Sequence, residues 1–208
     1  MRTSNGFPLR NAVLLVHDVV RALVERNDTS VSAVIENIQA LIEASRAASL
    51  PVIFVAPGPG KTIATPPPES WPKDFMVWGT RAVDIPESMH VLPQDTIVRK
   101  PRYGAFFGTG LAEELRQAQR GTLIICGISL TGGVEMTVRE AFNYDFCSIL
   151  VQDACLCRPI ADEGWGAVSA GDVAKVTLSV LAQRFARVLT TADVCAELQT
   201  AVSSGSPT

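Results

Sequence analysis

The sequence has little of what several classes of protein require. Only 2 of its 208 residues are histidine, which argues against a histidine-rich zinc site. Charged residues make up 19%, and a net charge of −3 does not provide the basic face that binds nucleic acid. No apolar run approaches the ~18 residues of a membrane span, and the N-terminus MRTSNGFPLRN lacks the apolar core of a signal peptide. We therefore expect a cytoplasmic protein that binds neither nucleic acid nor a membrane.

Patterns for a disulfide framework, a metal or a nucleotide are also missing. The chain has 5 cysteines, and this odd number, with all of them in the C-terminal half, argues against a disulfide framework. Cys155 and Cys157 form a CxC pair without a second pair, which favours buried thiols. The segment GPGKT at 58–62 resembles the end of a phosphate loop, but Val55 stands where that loop needs its first glycine. We expect no metal and no cofactor.

The residues that are abundant indicate a folded chain with an apolar surface. Hydrophobic residues make up 47% of the sequence, enough to bury a core. The mean hydropathy of +0.22 is high for a soluble protein. We therefore expect part of the surface to be a contact between copies, in a homodimer or a higher homo-oligomer.

Short apolar runs alternate with segments of helical period, which predicts an α/β fold with a parallel sheet. The predicted strands are 12–16, 51–56, 96–100, 122–126, 147–152 and 187–189. The predicted helices are 30–48, 110–119, 132–144, 173–185 and 192–198. Residues 57–73 contain six prolines and predict a long surface loop.

In open parallel sheets, ligands bind beyond the carboxyl ends of the strands, and two charged residues lie there. Asp18 follows the first strand, where it is either a general acid or base or the N-cap of the next helix. Lys100 ends the third strand, where it could pair with Asp18, bind an anionic substrate or extend into solvent.

The segment GISLTGGV at 127–134 joins the fourth strand to a helix. Gly132 and Gly133 would let a ligand approach backbone N–H groups at the helix N-terminus, although a tight turn capped by Thr131 explains the same residues. The stretch from Gly127 also resembles a nucleophile elbow centred on Ser129. That chemistry needs a histidine after the serine, and both histidines precede it.

Several segments together resemble the isochorismatase-like hydrolase superfamily. They are LLVHDVV, IVRKPRYGAFFGTGL, LIICGISLTGGVEMTVREAFNYDF, ILVQDAC and FARVLTTADV, in this order. The resemblance covers residues 10–198, flanked by short tails at 1–9 and 199–208. It implies a three-layer α/β/α sandwich with a six-stranded, mainly parallel, Rossmann-like sheet. It also implies an Asp–Lys–Cys triad, in which Asp18 and Lys100 match the first two members.

The third member of that triad is missing, because the nucleophile position falls on Gly133. A glycine cannot carry thiolate catalysis. Glycine in this position, together with the VHD motif at His17 and Asp18, resembles the true isochorismatases of siderophore and phenazine biosynthesis, which belong to secondary metabolism. The resemblance implies hydrolysis of a vinyl ether without a covalent intermediate. Asp18 would be the general acid, which requires a raised pKa, and Lys100 would orient Asp18 or bind a carboxylate.

Other residues are expected to bind the substrate, which we expect to be a small anionic metabolite. Leu130 and Thr131 replace an Ala-His pair that true isochorismatases usually carry, next to Gly132 at the predicted pocket. Charge would come from Arg81, with Arg99 and Arg102, and a ring could be covered by Trp78 or Tyr103. The loop at 57–80 is expected to cover the pocket.

Three hypotheses remain open from the sequence. The first is a hydrolase that uses Asp18 as acid or base, with vinyl-ether hydrolysis as its reaction. The second is an amide or ester hydrolase with a substitute nucleophile, either Ser129 or water. The third is a non-catalytic binding or assembly protein that has kept the scaffold.

Overall fold

The fold is built on one parallel sheet. The computed structural model describes residues 9–25, 29–59 and 76–204. Within these residues the sheet has six strands in the order β3-β2-β1-β4-β5-β6. The strands are β1 (Ala12–His17), β2 (Val52–Pro57), β3 (Thr96–Lys100), β4 (Thr122–Ile128), β5 (Cys147–Leu156) and β6 (Arg187–Leu189). Every neighbouring pair is parallel, which confirms the predicted α/β architecture.

The central strands are buried on both faces, as their continuous apolar sequences predict. Every residue of β1, β2 and β4 is buried. In β1, Leu14 and Val16 pack into one core cluster, whereas Val13 and Leu15 pack into the other, because successive side chains of a strand point to opposite faces. The sheet therefore separates two hydrophobic cores.

Helices cover both faces of the sheet. They are α1 (Arg21–Val24), α2 (Thr29–Ala47), α3 (Leu111–Gln117), α4 (Glu135–Asn143), α5 (Ala170–Arg184) and α6 (Thr191–Ser204). Helices α2 and α6 contribute to the first core cluster, and α3, α4 and α5 to the second. Among the described helices, none has the length and apolar composition needed to cross a membrane.

Two predicted elements differ from the structure in a way that shapes the site. The helix predicted over 132–144 begins only at Glu135, after a wide turn over Leu130–Val134. The fifth strand runs on to Leu156 instead of ending at 152. It continues because Gly127 and Ile128 at the end of β4 pair with Cys155 and Leu156 beyond a shift in register.

Candidate active site

The candidate site lies where the direction of strand connection changes. β1 lies between β2 and β4, so the chain adds strands first to one side of β1 and then to the other. In open parallel sheets the crevice at this switch point, beyond the carboxyl ends of the strands, is the usual ligand site. His17 ends β1 there and is paired in register with Gly127. Asp18 is the first residue beyond β1.

Asp18 has an unusual backbone conformation that turns the chain out of the sheet. Its φ is +50°, in the left-handed region, which costs a non-glycine residue about 1–2 kcal/mol. Its N–H still donates to the carbonyl of Val55 at 2.8 Å, and its own carbonyl accepts from Val20 at 2.9 Å. Strained residues held in this way are concentrated at functional sites.

Lys100 forms a buried ion pair with Asp18, as one of the sequence hypotheses expects. Lys100 Nζ lies 2.9 Å from Asp18 Oδ2, and the two side chains are 1% and 7% exposed. Lys100 Nζ also donates to the carbonyl of Arg102 at 3.1 Å. The other carboxylate oxygen, Asp18 Oδ1, is buried without a hydrogen-bond partner among the described residues. One oxygen of the carboxylate is therefore held, and the other is left for a ligand or water.

The structure corrects the expectation that the pKa of Asp18 is raised. Burial does raise this pKa, but the nearby His17 and the Lys100 ammonium together outweigh it and hold the pKa below its usual value. Asp18 is therefore ionised in the unliganded site. A role as general acid requires that substrate binding first raise its affinity for a proton.

His17 is a site residue that the sequence indicated only through the VHD motif. Its side chain is fully buried, and Nδ1 lies 3.3 Å from Asp18 Oδ2, where an Nδ1–H interacts weakly with the carboxylate and lowers the pKa of Asp18. Burial lowers the pKa of His17, the Lys100 charge lowers it further, and Asp18 only partly opposes them. The imidazole is therefore neutral at pH 7.

The turn after β4 brings Gly132 and Gly133 to the same place. Gly132 has φ −116° and ψ −113°, so a regular helix cannot pass through it. A Cβ at Gly132 would lie 3.7 Å from the ring of Tyr103, and a Cβ at Gly133 would lie 2.8 Å from the Tyr103 carbonyl oxygen. Both glycines and Tyr103 are thus grouped with His17, Asp18 and Lys100, whereas the helix N-terminus lies one turn further on.

Helix α4 holds the loop that carries Tyr103. Thr137 Oγ1 accepts from the N–H of Ala105 at 3.1 Å, and Glu140 Oε2 accepts from the N–H of Phe106 at 3.0 Å. The Glu140 carboxylate lies so close to Gly104 that a Cβ there would clash with it. Burial raises the pKa of Glu140, and the two backbone N–H donors and Lys100 oppose that shift.

The remaining predicted residues are more scattered. Leu130 is buried in the second core cluster, so its side chain packs against the protein, and Thr131 is exposed. Trp78 is 45% exposed, and the Arg99 guanidinium carbon lies over its ring, 5.1 Å from the ring centre. Arg81 is exposed at the start of a short 3-10 helix. Most of the loop predicted to cover the pocket, and most of the segment GPGKT, lie at 60–75, outside the described residues.

The cysteines near the sheet edge are poor nucleophiles. Burial raises the pKa of Cys126 well above its usual value and that of Cys155 to about 12, which keeps both thiols protonated. Cys157 is half-buried, and burial raises its pKa as well. Over the part of the chain that the structure describes, no three histidine, cysteine, aspartate or glutamate side chains are grouped as metal ligands.

Comparison with known proteins identifies the family. The isochorismatase domain matches residues 12–193. A cysteine hydrolase from Pseudomonas syringae pv. phaseolicola superposes with a TM-score of 0.82 at 26% identity, over 94% of this chain and 95% of that one. Phenazine biosynthesis protein PhzD1 of Pseudomonas aeruginosa is 31% identical over 150 residues, 70% of this chain and 71% of that protein.

A further relative is matched over a shorter stretch. The isochorismatase family protein YecD of Escherichia coli is 33% identical over 99 residues, which is 41% of this chain. The match spans about half of YecD, 53% of its length. The match of the isochorismatase domain nevertheless spans the whole sheet, from the start of β1 to the start of α6. This chain therefore belongs to the isochorismatase family, whose members are hydrolases built on a parallel α/β sheet.

Proposed function

We propose that this protein hydrolyses a small anionic substrate by proton transfer at Asp18 Oδ1, without a covalent intermediate. The observation that carries the proposal is the asymmetry of the Asp18 carboxylate. Oδ2 is held by Lys100 at 2.9 Å, whereas Oδ1 is buried with no partner in the described parts of the chain. A buried carboxylate oxygen without a partner is costly, and a catalytic role is one of the reasons for which proteins keep such an atom.

We propose a vinyl ether that bears a carboxylate as the substrate. A carboxylate that enters this buried site competes with Asp18 for Lys100 and adds negative charge, and both effects raise the pKa of Asp18. Asp18 then takes a proton from solvent and passes it from Oδ1 to the terminal vinyl carbon. Water adds to the resulting oxocarbenium ion and returns a proton to Asp18. The hemiketal then separates into an alcohol and a keto acid.

The first experiment is incubation with isochorismate, followed by liquid chromatography and mass spectrometry. We expect pyruvate and the dihydrodiol acid from the wild type, and at least a hundredfold less from Asp18→Asn, since general acid–base catalysis contributes about 10²–10⁴-fold. Asparagine also tolerates a positive φ, but D18N leaves the buried Lys100 ammonium without its counter-ion and so loses stability. Circular dichroism is therefore used to check that D18N is folded at the assay temperature. Asp145→Asn is the matched control, because Asp145 is exposed and has a φ of +66°. Unchanged turnover in D18N would reject the role of Asp18.

The second candidate is an amide or ester hydrolase in which ionised Asp18 activates water. The lowered pKa of Asp18 favours this reading, because a general base must be unprotonated. A pH profile separates the two mechanisms. A reaction that needs protonated Asp18 accelerates as pH falls, whereas one that needs the carboxylate is lost only in acid. Ser129 as nucleophile is tested separately with a fluorophosphonate, which should label the wild type but not Ser129→Ala.

A further inference from the structure

The side chain of His17 occupies the space that a side chain at position 133 would need. A Cβ built on Gly133 would overlap His17 Cε1 and would lie 2.8 Å from His17 Nδ1. Real Cβ atoms do not approach other atoms so closely. His17 itself is fully buried on β1, between parallel strands, and has little room to move. The glycine and the imidazole are therefore a matched pair.

The imidazole is also unusually poor in protein partners. The imidazole interacts only weakly with the Asp18 carboxylate, 3.3 Å from Nδ1, and with the backbone of Tyr103. Within the residues that the structure describes, neither ring nitrogen makes a well-aligned hydrogen bond. Buried ring nitrogens are usually bonded, so this exception requires an explanation. The charged groups that face His17 are Asp18 and Lys100, and Glu140 acts on Lys100 in turn. His17 therefore lies inside the proposed catalytic group and not in an ordinary apolar core.

We propose that His17 takes the place of the absent nucleophile side chain as the third member of the site. It is a positioning residue. His17 Nδ1 lies 3.3 Å from Asp18 Oδ2, and Lys100 binds the same oxygen. Together they fix the carboxylate so that Oδ1 faces the substrate. This inference rests on the proposed function for its effect on turnover. The contact itself does not depend on which substrate is used.

The steric part is tested by a double-mutant cycle on stability. We expect Gly133→Ala to lower the urea midpoint, and His17→Ala in the same chain to restore much of the loss. Recovery should be incomplete, because the new Cβ still meets the Tyr103 carbonyl oxygen at 2.8 Å. Gly121→Ala is the control, since nothing lies within 4 Å of a Cβ there. Additive losses in the double variant would overturn the pairing.

The positioning part is tested by titrating the Asp18 carboxyl with carbon-13 NMR, which needs no substrate. We expect the apparent pKa of Asp18 to rise in His17→Ala and to stay nearer the wild-type value in His17→Asn, which keeps an N–H donor close to the Nδ1 place. An Asp18 titration unchanged in both variants would overturn the proposal. If H17A does not fold, H17N and His17→Leu make the same comparison.

Turnover gives the independent readout. We expect kcat to fall at least tenfold in H17A and about threefold or less in H17N. The limb of the pH–rate profile that reports the titration of Asp18 should move to higher pH in H17A. That limb moves in the same direction whether Asp18 is acid or base. If the wild type hydrolyses no isochorismate, the proposed function fails, while the NMR titration still decides the role of His17. A merely structural histidine would leave both the limb and the titration in place.

Discussion

Asp18 shows at the residue scale how a buried charge can be both stabilised and kept available. Burial opposes ionisation of its carboxylate, but His17 and Lys100, whose Nζ lies 2.9 Å away, outweigh burial and lower its pKa. Burying two charges is costly, so a pair of this kind is weak evidence for stability. Its retention next to an unpartnered Oδ1 is better explained by chemistry.

Removing one partner of this pair should cost much more than removing both. We expect Lys100→Met to lower the free energy of unfolding by about 3–5 kcal/mol, because the Asp18 anion is left buried alone. The double variant D18N/K100M should recover part of that loss. Lys175→Met, at an exposed position of α5, is the control and should change stability by less than about 0.5 kcal/mol. Urea denaturation measures all four proteins, and equal losses in K100M and the double variant would contradict the coupling.

At the scale of elements, helix α4 supports the site through its hydrogen bonds to the loop that carries Tyr103. Its first residue follows the glycine turn, and its later residues Thr137 and Glu140 bind the N–H groups of the loop that carries Tyr103. The same helix therefore fixes both sides of the group around His17. The loop 101–110 has no regular secondary structure of its own and depends on these bonds.

We expect Glu140→Ala to lower stability by about 1–3 kcal/mol, because buried N–H groups of the loop lose a charged acceptor. Turnover should fall as well, since the loop positions the Tyr103 carbonyl beside His17. Glu135→Ala is the matched control on the same helix. Glu135 makes only a partly exposed ion pair with Arg139, worth about 0.5 kcal/mol or less. Equal effects of the two variants, by calorimetry and by rate, would show that the loop does not depend on Glu140.

For the whole molecule, the neutral buried His17 links folding to pH. The pKa of His17 is lowered in the folded protein, so the unfolded chain takes up the proton first as pH falls through about 6.5. The free energy of unfolding should therefore fall as pH decreases from 7 to 5, with a slope of at most about 1.4 kcal/mol per pH unit for this one proton. Below pH 4 the lowered pKa of Asp18 adds a loss of the same sign.

The measurement is urea denaturation at several pH values. In His17→Asn the fall between pH 7 and 5 should be smaller than in the wild type. His90→Asn is the control, because His90 is the other histidine of the chain, is exposed, and has a left-handed φ of +45° that asparagine tolerates. A pH dependence that H90N removes and H17N keeps would contradict the assignment to His17.

The assembly of the molecule remains a prediction from its apolar composition. The exposed side of α5 carries Val176 and Val180, which are 63% and 39% exposed, and Trp165 is 93% exposed in the loop before it. We expect the mass in solution, measured by light scattering, to be a multiple of the 22.3 kDa of one chain. A mass of one chain at micromolar concentration would contradict the expectation.

The parallel α/β fold could be predicted from the sequence, and so could the positions of Asp18 and Lys100 beyond neighbouring carboxyl ends, with their pairing as one of several hypotheses. Buried strands are continuous apolar runs, and a charge directly after such a run must lie at the carboxyl edge of the sheet. The predicted bounds of the short edge strand, 187–189, also agree with the structure. The family resemblance also places a glycine, Gly133, at the position of the family nucleophile, and a glycine has no side chain that could act there.

The charge state of Asp18 and the packing of His17 against Gly133 could be read only from the folded chain. The pKa of Asp18 depends on a balance between burial and two neighbours, of which Lys100 is 82 positions away in the sequence (100 − 18). The clash between His17 and a side chain at 133 involves residues from the ends of β1 and β4. These two strands are neighbours in the sheet but distant in the sequence. Desolvation and steric fit are properties of atoms brought together by folding, so no local pattern in the sequence carries them.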